Sequence, residues 1–177
     1  MKPGSVALAL APTACAGTVR GGGSGQACPR TPGQALFEFV NGRREAEGLE
    51  PLRIDRRLVA AAMAHARDLA SGGVPLGHVG SDGSEPTDRT KAQNYDYARV
   101  AENVASGLPS ASVIATGWMG SEGHRHNILT PDFRDAGVAY VEAPDPERGP
   151  FWVMMYGRLQ DGVPQRTSGD YRVRCIP

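Results

Sequence analysis

The sequence predicts an α+β fold. Three observations carry that expectation. Apolar residues recur at helical spacing through the first half of the chain, the clearest strand-like runs come at the end, and strands and helices do not alternate. No internal repeat is visible.

The elements follow in order. Leu36, Phe37, Phe39 and Val40 with Arg43, Arg44, Glu45 and Glu47 make an amphipathic helix ending at Gly48, its charged residues on the polar face. Residues 49–52 are a connection. Asp55 is an N-cap for a second helix. There Leu58, Ala61, Ala62, His65, Ala66 and Leu69 fall on one face, and Ser71-Gly72-Gly73 ends it. A polar, Gly-rich stretch runs from Gly72 to Ser84. Ser84 then begins a short helix over 85–92. Val100 to Ala105 alternates weakly and reads as a strand. Ser110 to Met119 reads as a helix with Val113, Ile114, Gly117 and Trp118 inward. Residues 136–141 and 151–156 are strand-like, joined by a Pro-rich turn over 144–150.

The chain has 177 residues, room for one domain with tails. Residues 34–161 are read as the folded domain and 162–177 as a C-terminal tail. Residues 1–33 are read as a leader and a flexible linker. Lys2, the apolar run from Val6 to Ala11 and the small residues up to Gly17 outline a secretory signal. Residues 17–33 are rich in Gly, Ser and Pro. Cys15 stands where a bacterial lipoprotein would be cleaved and lipidated, so any membrane attachment is expected through that N-terminal anchor. Cys28 and Cys175 bracket the domain, and a disulfide between them is the expectation in an oxidising compartment. Lys+Arg and Asp+Glu are both 19. That balance argues against a nucleic-acid binder, which shows a basic excess. No apolar stretch is long enough to span a membrane.

Four histidines and one glutamate are candidates for chemistry. His78 lies among glycines in Gly77-His-Val-Gly-Ser-Asp-Gly83, as a site residue or as an exposed polar loop residue. His65, on the buried stripe, reads as a core histidine. His124 and His126 in Ser121-Glu-Gly-His-Arg-His-Asn127 would point to one side in a strand and hold zinc with a third ligand; in a loop they are a polar turn. Glu102 sits within Val100-Ala-Glu-Asn-Val-Ala105. Either it meets a cation or histidine, or it faces solvent on an edge strand. No serine-nucleophile elbow or phosphate loop is present, and all three cysteines lie outside the domain core.

Four segments occur together: Val40-Asn-Gly-Arg-Arg44 with Gly48-Leu-Glu-Pro-Leu52, Gly77 to Gly83, Ala101-Glu-Asn-Val-Ala105, and Trp118-Met-Gly-Ser-Glu-Gly-His-Arg-His-Asn-Ile-Leu129. In this combination the chain resembles the bacterial branch of the CAP superfamily. This is the SCP domain, with relatives among cysteine-rich secretory proteins, antigen 5 and plant pathogenesis-related proteins. The resemblance implies a three-layer α-β-α sandwich with a mostly antiparallel central sheet. It implies a cavity lined by two histidines and two acids, here His78, His124 and Glu102. The second acid of animal and plant members falls on Ser121, and the neighbouring Glu122 is the residue available to stand in. Asp82 and Asn127 match family positions and read as turn and capping residues. His126 replaces a small residue.

The resemblance implies binding of a small apolar ligand or an envelope component, by a monomer that is secreted or anchored in the cell envelope. Zn²⁺ or another divalent metal on His78 and His124 is an expectation. Two alternatives stand beside it. One is a metal-assisted hydrolase, with Glu102 as base and Arg125 as the nearest oxyanion stabiliser. The other is a structural envelope protein whose histidine cluster only holds the fold. The catalytic residues are unknown from sequence.

Overall fold

A computed structural model describes residues 30–107 and 110–164. They form α1 (Pro32–Ala46), β1 (Arg53–Ile54), α2 (Arg56–Ser71), α3 (Pro86–Ala92), β2 (Tyr97–Ser106), α4 (Ala111–Gly120), α5 (Glu122–Leu129), β3 (Asp135–Glu142) and β4 (Pro150–Leu159), with a 3₁₀ turn at Pro146–Arg148. Residues 1–29 of the leader and linker, residues 165–177 of the tail and the three cysteines lie outside these residues, and with them the disulfide and lipidation expectations.

The sheet order is β1-β3-β4-β2. β4 pairs antiparallel with β2 and β3, and the short β1 pairs parallel with β3. The sheet is therefore mixed. Its period-2 alternation divides the core in two. Trp152, Met154 and Tyr156 of β4 pack with Leu36, Val40, Ile114, Trp118 and Ile128 of α1, α4 and α5. Phe151, Val153 and Met155 pack on the opposite face with Leu58, Ala61, Ala66 and Leu69 of α2. Helices on both faces of one sheet make the expected α-β-α sandwich.

Local chemistry accounts for the boundaries. Thr31 and Gln34 form a capping box at α1. The Asp55 side chain accepts from the Arg57 amide at the start of α2, and Gly72 ends that helix at φ 91°. Gly137 of β3 lies directly under α2. A Cβ there would stand 2.0 Å from the Leu58 carbonyl carbon, so only glycine allows this approach.

Several local expectations change. Residues 53–54, read as loop, form β1. Residues 122–129 are neither strand nor loop but helix, so His124 and His126 do not point to one side. Val113 and Gly117 are exposed, and Ala111 and Ala115 take the inward positions of α4. Arg44 is fully buried, not on a polar face. It donates to the carbonyls of Glu50, Ile128, Thr130 and Phe133, and so ties the end of α1 to the end of α5. Burial, and then the charge of Arg134, lower its pKa from the ordinary value. No helix among the described residues is long and apolar enough to cross a membrane.

Candidate functional site

The site forms around Glu102, on the edge strand β2. Its neighbours in the strand alternate between the two faces of the sheet, with Val100 and Val104 packing toward α2 and Ala101 and Ala105 toward α1, α4 and α5. Glu102 shares the α2 side, and its side chain is 1% exposed. Of the two sequence alternatives for Glu102 the first holds: β2 is an edge strand, yet the carboxylate does not face solvent and meets a cation and histidines instead. A buried carboxylate is tolerable only with partners, and three surround it. Arg89 of α3 donates through Nη2 to Oε2 at 3.0 Å and Oε1 at 3.3 Å. His78 places Nδ1 2.9 Å from Oε1. His65 of α2 places Nε2 3.8 Å from Oε1.

The hydrogen bonds fix the tautomers. Carboxylate and carbonyl oxygens only accept, so the ring nitrogen facing each must carry hydrogen. His78 therefore donates from Nδ1, and in its neutral form its Nε2 keeps a lone pair. His65 donates from Nε2 to the Gly77 carbonyl at 2.8 Å. It is the buried core histidine expected, but it also grips the residue before His78. Its Nδ1 has no hydrogen-bond partner among the described residues. The His78 side chain is 53% exposed, so one edge of the ring meets Glu102 and much of the rest meets solvent. The hydrogen bond to Glu102 raises the His78 pKa, against burial and the Arg89 charge.

His124 comes from the opposite helical layer. Asn103, next to Glu102, donates to the His124 carbonyl at 3.1 Å and to the Tyr156 hydroxyl at 3.1 Å. Asn127 donates to the Asn103 side-chain oxygen at 2.9 Å and to the Glu102 carbonyl at 3.3 Å. These amides bolt α5 to β2. Asn127 is thus a helix-to-strand tie and not a loop cap. The His124 ring is half-buried, 6.0 Å from the Trp118 ring between centroids. Burial lowers its pKa, and the charge of His78 lowers it further. The His124 ring therefore senses the charge of His78. At neutral pH the pair holds one ring biased toward the proton and one biased against it.

The other candidates stand elsewhere. Glu122 precedes His124 by two residues in α5, about 200° around the helix at 3.6 residues per turn. It lines a groove of about 370 Å³ with Arg99, Arg125, His126 and Leu129, and none of His78, Glu102 or His124 lines that groove. Arg125 is exposed there and donates to the Met119 carbonyl at 3.4 Å, so the expected oxyanion stabiliser is not at the cluster. Asp82 accepts from the Ser84 amide at 2.9 Å, the turn role expected. Among the described residues no three His, Cys, Asp or Glu side chains are arranged to hold a metal ion. Two imidazoles, His78 Nε2 and His124, are the available donors, fewer than the three a catalytic zinc needs.

Arg89, Asn103 and the site role of His65 escaped the sequence reading. The buried Glu102 demanded a cation, but nothing in the spacing named Arg89.

The sandwich, with this order of helices and strands around the β2 edge, defines the SCP class of domain. The chain belongs to the CAP family, described as the cysteine-rich secretory protein family, whose sequence model matches residues 37–156. It is 34% identical over 121 residues to the uncharacterised protein YkwD of Bacillus subtilis (strain 168), covering 68% of this chain and 45% of that protein. It is 27% identical over 108 residues to the uncharacterised membrane protein YlbC of the same strain, covering 61% of this chain and 31% of YlbC. The chain thus spans less than half the length of these two relatives. Its fold is similar to that of an extracellular SCP-domain protein from Bacillus anthracis str. Ames (TM-score 0.63, 25% identity, 71% of this chain and 39% of that one). It is also similar in fold to an outer surface protein of Borrelia burgdorferi (TM-score 0.64, 21% identity, 71% of this chain and 90% of that one).

Proposed function

We propose that this chain is an exported binding domain, working outside the cell or in the envelope, whose His78–Glu102–His124 cluster takes the polar part of its ligand. One observation carries the reading. Glu102, the carboxylate of the cluster, is held by Arg89 and His78. It orients an imidazole and is not free to activate water. Glu102 is therefore not placed as the base that the hydrolase alternative assigned to it, and Arg125 does not stand at the cluster as its oxyanion stabiliser. The exposed apolar side chains of Leu76 and Val79, on either side of His78, suit a ligand with an apolar part. The extracellular neighbour supports export.

A divalent cation would find at most two imidazoles here, His78 Nε2 and His124, with its other positions open to the ligand or water. When bound, it would supply a Lewis-acidic contact for a ligand oxygen. Both rings must be neutral to bind it.

Titration calorimetry of the full chain with Zn²⁺ at pH 7.5, wild type against His78→Ala, tests the reading. Saturable one-to-one binding that His78→Ala abolishes is the expected result. Equal binding by both proteins would overturn the metal part of the reading, and a His78→Ala variant that loses stability without any wild-type binding would favour the purely structural alternative.

A further inference from the structure

We propose that Arg89 is the positioning residue of the site: its guanidinium fixes the His78 ring against Glu102, so that Nδ1 stays on the carboxylate and Nε2 stays available to ligand. This rests on the reading of His78 as ligand-facing. One nitrogen makes the central contacts. Arg89 Nη2 donates to the His78 carbonyl at 2.9 Å and to both oxygens of Glu102. The same atom thus holds the backbone of His78 and the group its ring leans on. Arg89 Nη1 donates to the Ser84 carbonyl at 2.7 Å. One planar fork therefore grips the loop between α2 and α3 at residues 78 and 84 and fastens it to β2.

His65 completes the grip from the other side by donating to the Gly77 carbonyl. Two consecutive carbonyls, of Gly77 and His78, are held by side chains from two different helices. Without this the loop offers little to fix an exposed ring: residues 72–85 contain no helix or strand, and His78 lies between the exposed Leu76 and Val79. A lysine could not replace the fork, because a single ammonium presents its donors from one point.

The test is the titration of the His78 ring by NMR in the full chain, for wild type, Arg89→Lys and Arg89→Gln, with Zn²⁺ affinity and thermal melts measured alongside. Arg89→Lys keeps the charge and removes the fork. The expected result is a His78 pKa that falls in Arg89→Lys toward the ordinary value, with Zn²⁺ affinity about 10- to 100-fold weaker, the usual effect of losing a group that orients a metal ligand. If Arg89→Lys keeps the wild-type titration while Arg89→Gln raises it, Arg89 acts by charge alone and the proposal is overturned. If neither variant moves His78, it is overturned as well.

Should Arg89→Lys fail to fold, the wild type still decides. A clamped guanidinium gives separate, slowly exchanging N–H signals for Arg89, and neutral His78 shows the Nδ1–H tautomer. An averaged guanidinium signal or an Nε2–H tautomer would overturn the proposal. These readouts need no ligand, so a wild type that ignores Zn²⁺ counts against the binding reading and leaves this test intact.

Discussion

Replacing Glu102 with Gln removes one charge and almost no volume, and its effect follows from the contacts. Oε1 accepts from His78 and Arg89, and Oε2 accepts from Arg89. The new amide must turn its NH₂ toward at least one of these donors. Glu102 and Arg89 side chains are 1% and 7% exposed, so water relieves little of the loss. Breaking a buried ion pair by removing one partner costs about 3–5 kcal/mol. Arg89 keeps its bonds to the His78 and Ser84 carbonyls, which places the expected loss near the low end, at about 3 kcal/mol. For a chain of this size that is a fall in Tm of roughly 6–12 °C. Urea unfolding at pH 7.5, followed by tryptophan fluorescence, reads it. A second readout carries a sign. Glu102 raises the His78 pKa, whereas burial and Arg89 lower it. With the carboxylate gone only lowering influences remain, so His78 moves from above the ordinary value of about 6.5 to below it. Linkage follows from the same shift. A raised folded-state pKa stabilises fully below the unfolded value and loses its effect as pH rises through the folded value. The stability gap between wild type and Glu102→Gln therefore narrows as pH rises through the wild-type His78 pKa. A loss under about 1 kcal/mol with an unmoved His78 titration would refute the reasoning.

Other perturbations are equally specific. Arg44→Met strips the donors from four carbonyls; at about 1–3 kcal/mol per buried unpaired group, offset in part by removing a desolvated charge, the expected net loss is about 3–5 kcal/mol. Denaturant unfolding within about 1 kcal/mol of wild type, roughly the range of a surface change, would contradict it. Gly137→Ala sets a methyl against the backbone of α2 at Leu58 and Val59, where no side chain can yield. Its expected cost is about 3 kcal/mol or more, so a wild-type melting curve would show the packing to be wrong. Zn²⁺ affinity should strengthen as pH rises through the raised His78 pKa, because the proton and the ion compete for Nε2. Calorimetry from pH 6 to 8 checks this, and a flat profile would place the ion elsewhere.

What could be read from the sequence was periodicity, and what could not was contact. The α2 stripe, the caps at Asp55 and Gly72 and the two C-terminal strands follow from local pattern. The helix at 122–129 did not, because Ser-Glu-Gly-His-Arg-His carries no apolar stripe, and its single fully buried residue is Ile128. Arg44 looked like a surface charge because only the tertiary fold brings the carbonyls of Ile128, Thr130 and Phe133, at the end of α5 and just beyond it, to its guanidinium. In the site, the buried Glu102 announced a need for a cation or histidine. Its partners come from α2, α3 and the loop between them, and pairing across such distances leaves no trace in spacing. Glu122 illustrates the reverse. Two residues from His124 in sequence, it is half a turn away in space.

His78 and His124, brought from opposite layers of the sandwich to the edge of β2, are proposed to act as one binding site. The most direct measurement follows the ring signals of all four histidines by NMR during a Zn²⁺ titration of the full chain at pH 7.5. The expected result is that His78 and His124 shift together and saturate at the same Zn²⁺ concentration, while His126, exposed on the other face of α5, stays at its free position. Shifts of His78 and His124 at different concentrations, or a response confined to His126, would contradict it.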